Sequence, residues 1–280
     1  MVLDVWSVSR ETHFSSQQIV HASNCYYWLT KSHMSAKSFS PVDLTEEQDR
    51  LLREYARMLF EVNKQFNLIS REDTHQILER HIAHCLTIAE KKVGKGSKIV
   101  DWGSGGGLPA IPLAIVWPDA HVLAVDSNGK KTRSIELFCR RLGIKNCESW
   151  HGRAEDATGS FQYSVSRATA PLVNLWDWHQ RVAISAMTTV TETAIINSDS
   201  DASANTTTNA DANTVALEPA ETHWSQGLIC LKGGDLREEV QAMNTKFTDL
   251  QTIIEPLSSL EKDPFFRLKY LVHVNKIQSS

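Results

Sequence analysis

The chain of 280 residues has few cysteines and lacks long apolar runs. The five cysteines lie far apart and never form a CxxC pair. This argues against a disulfide framework or a metal site, and it predicts a reduced, cytoplasmic protein. No apolar stretch approaches the roughly 20 residues that a membrane span needs. The first residues also lack a basic segment followed by an apolar core, so we predict neither a membrane anchor nor a signal peptide.

The charges are distributed unevenly along the chain, although the net charge is only −4. Residues 91–145 hold ten Lys and Arg against four Asp and Glu, whereas residues 190–222 hold six acidic residues and no Lys or Arg. A local basic surface is compatible with a polyanionic partner such as a nucleic acid. An ordinary solvated surface explains the charge count equally well.

Two segments show no pattern of folded structure. Residues 1–40 are predicted to be a disordered or non-native N-terminal extension, and Met34 opens a more usual start, so residues 1–33 are either a disordered tail or a gene-start artefact. The acidic segment at about 190–222 is a low-complexity insertion with almost no apolar residue over 197–216. Residues 41–95 are predicted to form a helical N-terminal extension. Residues 96–280, which include the acidic insertion, are predicted to form the main domain.

The extension is predicted to contain two amphipathic helices. The first spans about 44–66, where Thr45 and Gln48 have the spacing of a capping box. The second spans about 74–91, with Asp73 as its N-cap and apolar residues at helical spacing. Since His81 lies on that apolar face, we interpret it as a packing residue rather than a functional one.

From residue 98 onward, strands alternate with helices. The predicted strands are 98–102, 121–126, 146–151, 163–166, 228–232, about 250–254 and about 267–274, and the predicted helices are 108–117, 130–142, 171–186 and 235–247. This alternation predicts an α/β fold with a mostly parallel, doubly wound sheet and helices on both faces. The last two strands have no convincing helix between them and are expected to pair antiparallel at one edge.

A glycine-rich turn follows the first strand of the main domain. Asp101 ends the strand, and four glycines follow within five positions, Gly103, Gly105, Gly106 and Gly107. A strand, a glycine turn and a helix in succession bring backbone amides close to a ligand. Glycine suits such a turn because it allows positive φ and because a Cβ would collide with the ligand.

Two cofactor classes fit this turn. Gly105, Gly107 and Ala110 match the nicotinamide pattern G-x-G-x-x-G/A. However, Pro109 and Pro112 lie where the phosphate-binding helix should donate its first amides, which proline cannot do. A negative charge at Asp101 suits a cationic ligand better than a pyrophosphate. These features favour S-adenosylmethionine, whose carboxylate would meet the amides of residues 103–107.

Asp126 ends the second strand and is positioned to accept hydrogen bonds from both ribose hydroxyls of a nucleoside. Nicotinamide enzymes also carry an acid at this position, so Asp126 does not separate the two cofactors. An RNA-binding module without activity is a third interpretation, although the intact acid and glycines argue against it.

Five motifs, taken in order, resemble one family. They are DWGSGGGLPAIP (101–112), DSNGKK (126–131), HGRAED (151–156), SRATA (166–170) and LKG (231–233). Together they resemble the RsmG (glucose-inhibited division protein B) family of bacterial 16S rRNA guanine-N7 methyltransferases. Asn67-Leu68 and Arg80-His81 resemble two further stretches of that family. Ala110 and Trp102 depart from its usual pattern, and Trp102 is expected to crowd the back of the loop.

The resemblance implies a class I, Rossmann-like methyltransferase domain over residues 96–280 that methylates N7 of guanine 527 in the small ribosomal subunit. It implies that S-adenosylmethionine is bound by Gly103, Leu108, Asp126, Ala154, Glu155 and Arg167. Because N7 carries a lone pair and no proton, no general base is expected, and positioning should drive the reaction. From their charge and position, we propose as phosphate contacts Lys130, Lys131, Arg133, Arg140 and Arg141. The protein is expected to act as a monomer.

Overall fold

The computed structural model describes residues 39–70, 74–167, 169–184 and 222–277. The predictions for residues 1–38, for Asp73 and for nearly all of the 190–222 insertion lie outside these residues. Within the described part of the chain, seven strands form one sheet, and helices pack on both of its faces. The predicted α/β architecture is therefore confirmed.

The strand bounds agree with the predictions to within about two residues. They are β1 Lys98–Trp102, β2 His121–Asp126, β3 Cys147–His151, β4 Tyr163–Arg167, β5 Gly227–Gly233, β6 Leu250–Pro256 and β7 Lys269–Lys276. Their order across the sheet is β3-β2-β1-β4-β5-β7-β6. The first five strands are parallel, and β7 runs antiparallel between β5 and β6. The antiparallel edge pair is thus confirmed, and β6 forms the outer edge.

The helices are α1 Glu46–Asn63, α2 Ala83–Leu86, α3 Ala110–Val116, α4 Gly129–Leu142, α5 Leu172–Val182 and α6 Arg237–Lys246. The capping box is confirmed, because the Thr45 side chain accepts from the Gln48 amide and the Gln48 side chain accepts from the Thr45 amide. Gln48 also donates to the carbonyl of Ile115 at 3.3 Å, which ties the start of α1 to the end of α3. Within this part of the chain, no helix has both the length and the apolar character of a bilayer span.

The prediction of one continuous α-helix over 74–91 is wrong. The chain forms a 3₁₀ turn at Thr74–Gln76, a π-helical stretch at Ile77–Ile82, the short α2, and a second 3₁₀ turn at Thr87–Glu90. In the π-helical stretch the Ala83 amide donates to the Leu78 carbonyl five residues back. This wider turn buries Ile77 and Ile82, which are five residues apart, on the same side.

The two faces of the sheet are covered by different helices. Alternate residues of β1 enter different apolar clusters, with Ile99 on one face and Val100 on the other. The cluster of Ile99 also contains the buried residues of α1, α3 and α4, and Tyr55 of α1 packs edge-to-face on Phe138 of α4 at 5.7 Å between ring centroids. The N-terminal extension therefore shares a continuous core with the sheet.

The order of the strands determines where a ligand can enter. β1 lies between β2 and β4: the chain proceeds from β1 to β2 and β3 on one side, and then crosses back to β4 on the other side. In open α/β sheets, such a reversal opens a crevice outside the carboxyl ends of the strands, where ligands bind. The glycine turn after β1 and the segment after β4 meet at this crevice.

Candidate active site

A cavity of about 470 Å³ lies at the crevice beyond the carboxyl ends of β1, β2, β3 and β4. All six residues predicted to bind the cofactor line this cavity, namely Gly103, Leu108, Asp126, Ala154, Glu155 and Arg167. They come from four separate loops, so the fold assembles them from positions up to 64 residues apart in the sequence. Their role in binding remains a prediction.

The glycine turn has positive φ angles at Gly103, Gly105 and Gly107, as expected. At Gly103 (φ +72°), a Cβ would lie 2.2 Å from Cγ2 of Thr169, and at Gly106 it would lie 2.8 Å from Cδ1 of Leu59. The atoms that exclude a side chain at these two positions therefore belong to the protein itself. The expectation that a Cβ here would collide with the ligand is corrected for Gly103 and Gly106, where a Cβ would collide with Thr169 and Leu59.

The amides of the turn are mostly used inside the protein. Those of Gly103 and Ser104 donate to the carbonyl of Val125, and those of Gly107 and Leu108 donate to the carbonyl of Ser104. The Gly105 amide donates to Asp126. The expectation of a row of open amides for a ligand carboxylate is therefore wrong, because the turn needs these donors for its own closure.

Asp126 is buried and holds two loops together. One carboxylate oxygen accepts from the Gly105 amide at 2.9 Å, and the other accepts from the Asn128 amide at 2.9 Å. The ammonium of Lys131 lies 3.7 Å away. An ionised carboxylate has about four acceptor positions, so these two amides leave Asp126 with capacity to accept from a vicinal diol.

Asp101 lies beneath the turn, fully buried and outside the lining of the cavity. Its Oδ2 accepts from the Ala110 amide at 3.1 Å, which fixes the start of α3. Burial raises the pKa of Asp101 to about 7, while Ser104, the Ala110 amide and Arg167 oppose that rise. The carboxylate form of Asp101 therefore predominates only above about pH 7. The group lies beneath the loop and not, as expected from the sequence, next to the ligand position.

Arg167 reaches the cavity from the end of β4 and is held by His81. Its Nη1 donates to Nδ1 of His81 at 2.9 Å. Burial, helped by Arg167, Lys269 and Arg80, lowers the pKa of His81 to about 3, so the ring is neutral and can accept this hydrogen bond. The interpretation of His81 as only a packing residue is therefore incomplete, since it links the extension to a predicted site residue.

The N-terminal extension forms one wall of the cavity, which the sequence motifs did not predict. The Tyr55 hydroxyl donates to the carbonyl of Gly106 at 2.9 Å. After α1, Oδ1 of Asn63 accepts from the amides of Leu68 and Ile69 at 2.7 and 2.9 Å. This turn directs Leu68 into the lining of the cavity. The resemblance at Asn67-Leu68 was the available signal for this wall.

Thr169 and Trp178 also line the cavity and were not predicted. Oγ1 of Thr169 donates to the Trp102 carbonyl at 3.0 Å, which brings the segment after β4 against the glycine turn. The Trp102 ring is fully buried and packs edge-to-face on Trp178 at 6.1 Å between ring centroids. Trp102, which departs from the usual family pattern, therefore supports the part of the cavity wall that Trp178 forms.

The five basic residues proposed to contact phosphate fall into two groups. Lys130, Lys131 and Arg133 lie in the first turns of α4 next to Asp126, and Lys131 lines the cavity. Arg140 and Arg141 lie in the last turn, about 15 Å further along the axis at 1.5 Å per residue. Only the first group is close to the mouth of the cavity.

A larger cavity, of about 850 Å³, lies between α6 and strands β6 and β7. It is lined mostly by residues 234–245 together with Ile254, Leu268 and Tyr270, and none of the predicted site residues reaches it. The smaller cavity is therefore the candidate site, because the glycine turn borders it and the polar side chains of Asp126, Glu155 and Arg167 converge on it.

Comparison with known proteins decides the family. The family model described as rRNA small subunit methyltransferase G matches residues 48–205. Ribosomal RNA small subunit methyltransferase G of Salinibacter ruber is 41% identical over 243 residues, which cover 86% of this chain and 99% of that protein. The protein of the same name from Cytophaga hutchinsonii is 33% identical, with 82% and 94% covered.

The chain belongs to the rRNA small subunit methyltransferase G family.

The fold of this family member is that of a class I, Rossmann-like S-adenosylmethionine-dependent methyltransferase, as the parallel strands and their order indicate. Among solved structures, a SAM-dependent methyltransferase from Aquifex aeolicus aligns with a TM-score of 0.45 at 11% identity, covering 77% of this chain and 98% of that one. The predicted family resemblance is confirmed over most of the chain.

Replacement of Gly103 by alanine should be much more costly than replacement of Gly143. Both glycines have φ near +70°, but a Cβ at Gly143 meets nothing within 4 Å, whereas one at Gly103 overlaps Thr169. Gly143→Ala should cost about 1–2 kcal/mol of unfolding free energy for its left-handed backbone. Gly103→Ala should cost clearly more, as measured by urea denaturation.

The variant Thr169→Gly tests the origin of the difference. It removes the overlapping side chain, so Gly103→Ala in that background should cost no more than Gly143→Ala. An equal cost of Gly103→Ala in both backgrounds would contradict the steric explanation.

Asp101 should make the stability of the protein depend on pH. Because its folded pKa of about 7 lies above the unfolded value near 3.9, the contribution of Asp101 to the free energy of unfolding is fully present below about pH 4 and is lost progressively as pH rises from there through 7. Asp101→Asn cannot ionise. The free energy of unfolding of this variant minus that of the wild type should therefore be larger at pH 8 than at pH 5, by at least about 1 kcal/mol. Urea denaturation at the two pH values measures this, and a difference independent of pH would contradict it.

Proposed function

We propose that this protein transfers the methyl group of S-adenosylmethionine to N7 of a guanine in 16S rRNA, guanine 527 of the 530 loop, and that it acts as a monomer in the cytoplasm. One observation carries the proposal. In a chain of this family, the glycine turn, Asp126 and Arg167 converge on a single cavity at the reversal of the strand order.

The residues of the cavity fit S-adenosylmethionine. Its volume of about 470 Å³ lies within the range of small-molecule sites, about 300–1,000 Å³. Asp126 retains acceptor capacity for the ribose hydroxyls, and the apolar Leu108 and Ala154 offer surface for the adenine.

The start of α3 argues against a nicotinamide dinucleotide. Pro109 precedes the helix and has no amide hydrogen, and the amide of Ala110 is bound by Asp101. The next amide, that of Ile111, donates to the Gly107 carbonyl at 2.8 Å. A pyrophosphate needs free donors at this helix end, and these residues do not supply them.

The reaction follows from positioning. When bound, S-adenosylmethionine supplies an electrophilic methyl group on its sulfonium. Guanine N7 has a lone pair and no proton, so no side chain has to act as a general base. The protein contributes by fixing its cavity walls at Gly106, through Tyr55, and at Arg167, through His81, which holds the two reactants in line and limits water.

The basic first turns of α4 support an approach of RNA at the mouth of the cavity. Lys130 and Arg133 are exposed, and the ammonium of Lys130 lies 5.5 Å from the ring centroid of Phe66, an aromatic side chain that is itself exposed. Cations beside an accessible ring suit a ligand that has both phosphates and bases. Arg140 and Arg141 lie too far along the helix to share this role at the same nucleotide.

The proposed function is tested by methyl transfer from labelled S-adenosylmethionine to small ribosomal subunits that lack the modification, followed by mapping of the labelled nucleotide. Label at N7 of the guanine in the 530 loop is the expected result. Transfer to another nucleotide would contradict the assigned position, and absence of transfer to subunits and to free 16S rRNA would contradict the proposed substrate.

Replacement of Asp126 should weaken binding of the methyl donor. Asp126→Ala removes hydrogen bonds to a charged acceptor, each worth about 1.5–3 kcal/mol, so the dissociation constant for S-adenosylmethionine should rise at least about tenfold in titration calorimetry. Asp119→Ala is the matched control, because Asp119 is exposed and precedes β2 at the opposite end of the strand. Equal affinities of the two variants would contradict the role of Asp126.

Charge removal at the two ends of α4 should affect RNA binding differently. Each phosphate contact contributes about one unit to the slope of log affinity against log salt. The double variant Lys130→Ala/Arg133→Ala should lower that slope by about two, whereas Arg140→Ala/Arg141→Ala, which removes the same charge from the same helix, should leave it unchanged. Filter binding of 16S rRNA over a salt series measures both, and equal slopes would contradict the assignment.

A further inference from the structure

Lys232 is a buried cation near the carboxyl end of β5, within the LKG motif, for which the sequence indicated no role. Its side chain is only 6% exposed. Burial of an ammonium is costly unless the charge is paired and hydrogen-bonded. Its Nζ donates to the main-chain carbonyl of Ala170 at 2.5 Å and to Oε2 of Glu239 at 2.7 Å.

Glu239 binds the same segment from the other side. Its Oε2, which accepts from Lys232, also accepts from the Leu172 amide at 3.0 Å. The ion pair thus holds a carbonyl and an amide two residues apart in the connection from β4 to α5. Both bonds involve a charged partner, and such bonds are stronger than those between neutral groups.

The segment held in this way is a wall of the candidate active site. Arg167 and Thr169 line the cavity, and Thr169 lies directly over Gly103. Leu172 anchors the far end of this segment in an apolar cluster, whereas Ala170 packs against that cluster only partly buried and Thr169 is exposed. The position of the wall at Arg167 and Thr169 therefore depends also on polar contacts, of which Lys232 supplies one from outside the cavity.

We propose that Lys232 is a positioning residue for methyl transfer. It does not line the cavity; it acts through the Ala170 carbonyl, which keeps Arg167 and Thr169 in place against the glycine turn. This inference rests on the proposed function, because the reaction that it supports is the methyl transfer described above.

The test compares three variants of the full-length protein. Lys232→Met keeps an unbranched side chain but cannot donate a hydrogen bond. Lys232→Met/Glu239→Gln removes both charges of the pair and leaves an amide oxygen to accept from Leu172, so it remains informative if the single variant does not fold. Lys246→Met is the control, because it removes a more exposed ion pair at the end of α6, between Lys246 and Asp177 of α5, and neither residue lines the cavity.

The kcat for methyl transfer should fall at least tenfold in both Lys232 variants, with the KM for the small subunit changed less than threefold. Hydrogen exchange at the Leu172 amide should be at least tenfold faster in Lys232→Met, and Lys246→Met should change each quantity less than twofold. A folded double variant with kcat within twofold of the wild type would overturn the proposal.

Failure of the proposed function gives a different result. If the wild-type protein does not methylate subunits or 16S rRNA, the proposed substrate is wrong, and exchange at Leu172 together with the affinity for S-adenosylhomocysteine still decides the role of Lys232. Wild-type values of both in a folded Lys232→Met/Glu239→Gln variant would overturn that role.

Discussion

The structure depends on the close approach of three chain segments at the glycine turn. The turn lies between Leu59 and Leu68 of the N-terminal extension on one side and Thr169 on the other, with no space for a side chain at Gly103 or Gly106. Hydrogen bonds hold each neighbour in place, from Tyr55 to the Gly106 carbonyl and from Thr169 to the Trp102 carbonyl. The shape of the cavity follows from this arrangement, because its walls are the segments that enclose the turn.

The fold could be predicted well because its signals are local and periodic. The strands 98–102 and 121–126 are short, carry an acid at or next to their carboxyl end and alternate with helical patterns, so their parallel pairing follows from general rules of chain topology. The stretch 74–90 could not be predicted, since the positions of its apolar residues fit an ordinary helix nearly as well as the wider turn. Contacts with α1 and α3 decide between the two, and a sequence alone does not contain them.

The candidate site was predicted where a residue belongs to a motif, and missed where a contact crosses the fold. Asp126 and Arg167 end strands β2 and β4; Asp126 was predicted from that position, and Arg167 from the family resemblance. The partner of Arg167 is His81, 86 residues earlier. His81 was interpreted as a packing residue, because the sequence pattern shows only that it lies on an apolar helix face. Asp101 was assigned a direct electrostatic role, yet it lies under the turn, where burial governs its protonation.

The contacts of the N-terminal extension also bear on how such a protein can change in evolution. Because Leu68 lines the cavity and Tyr55 donates a hydrogen bond to the Gly106 carbonyl of the turn, the extension is not a separable module that could be exchanged while the rest of the domain stays intact. A substitution at Tyr55, Leu59 or Leu68 therefore bears on the candidate cavity as well as on the packing of the extension. The extension and the cavity are thus constrained to change together in this architecture.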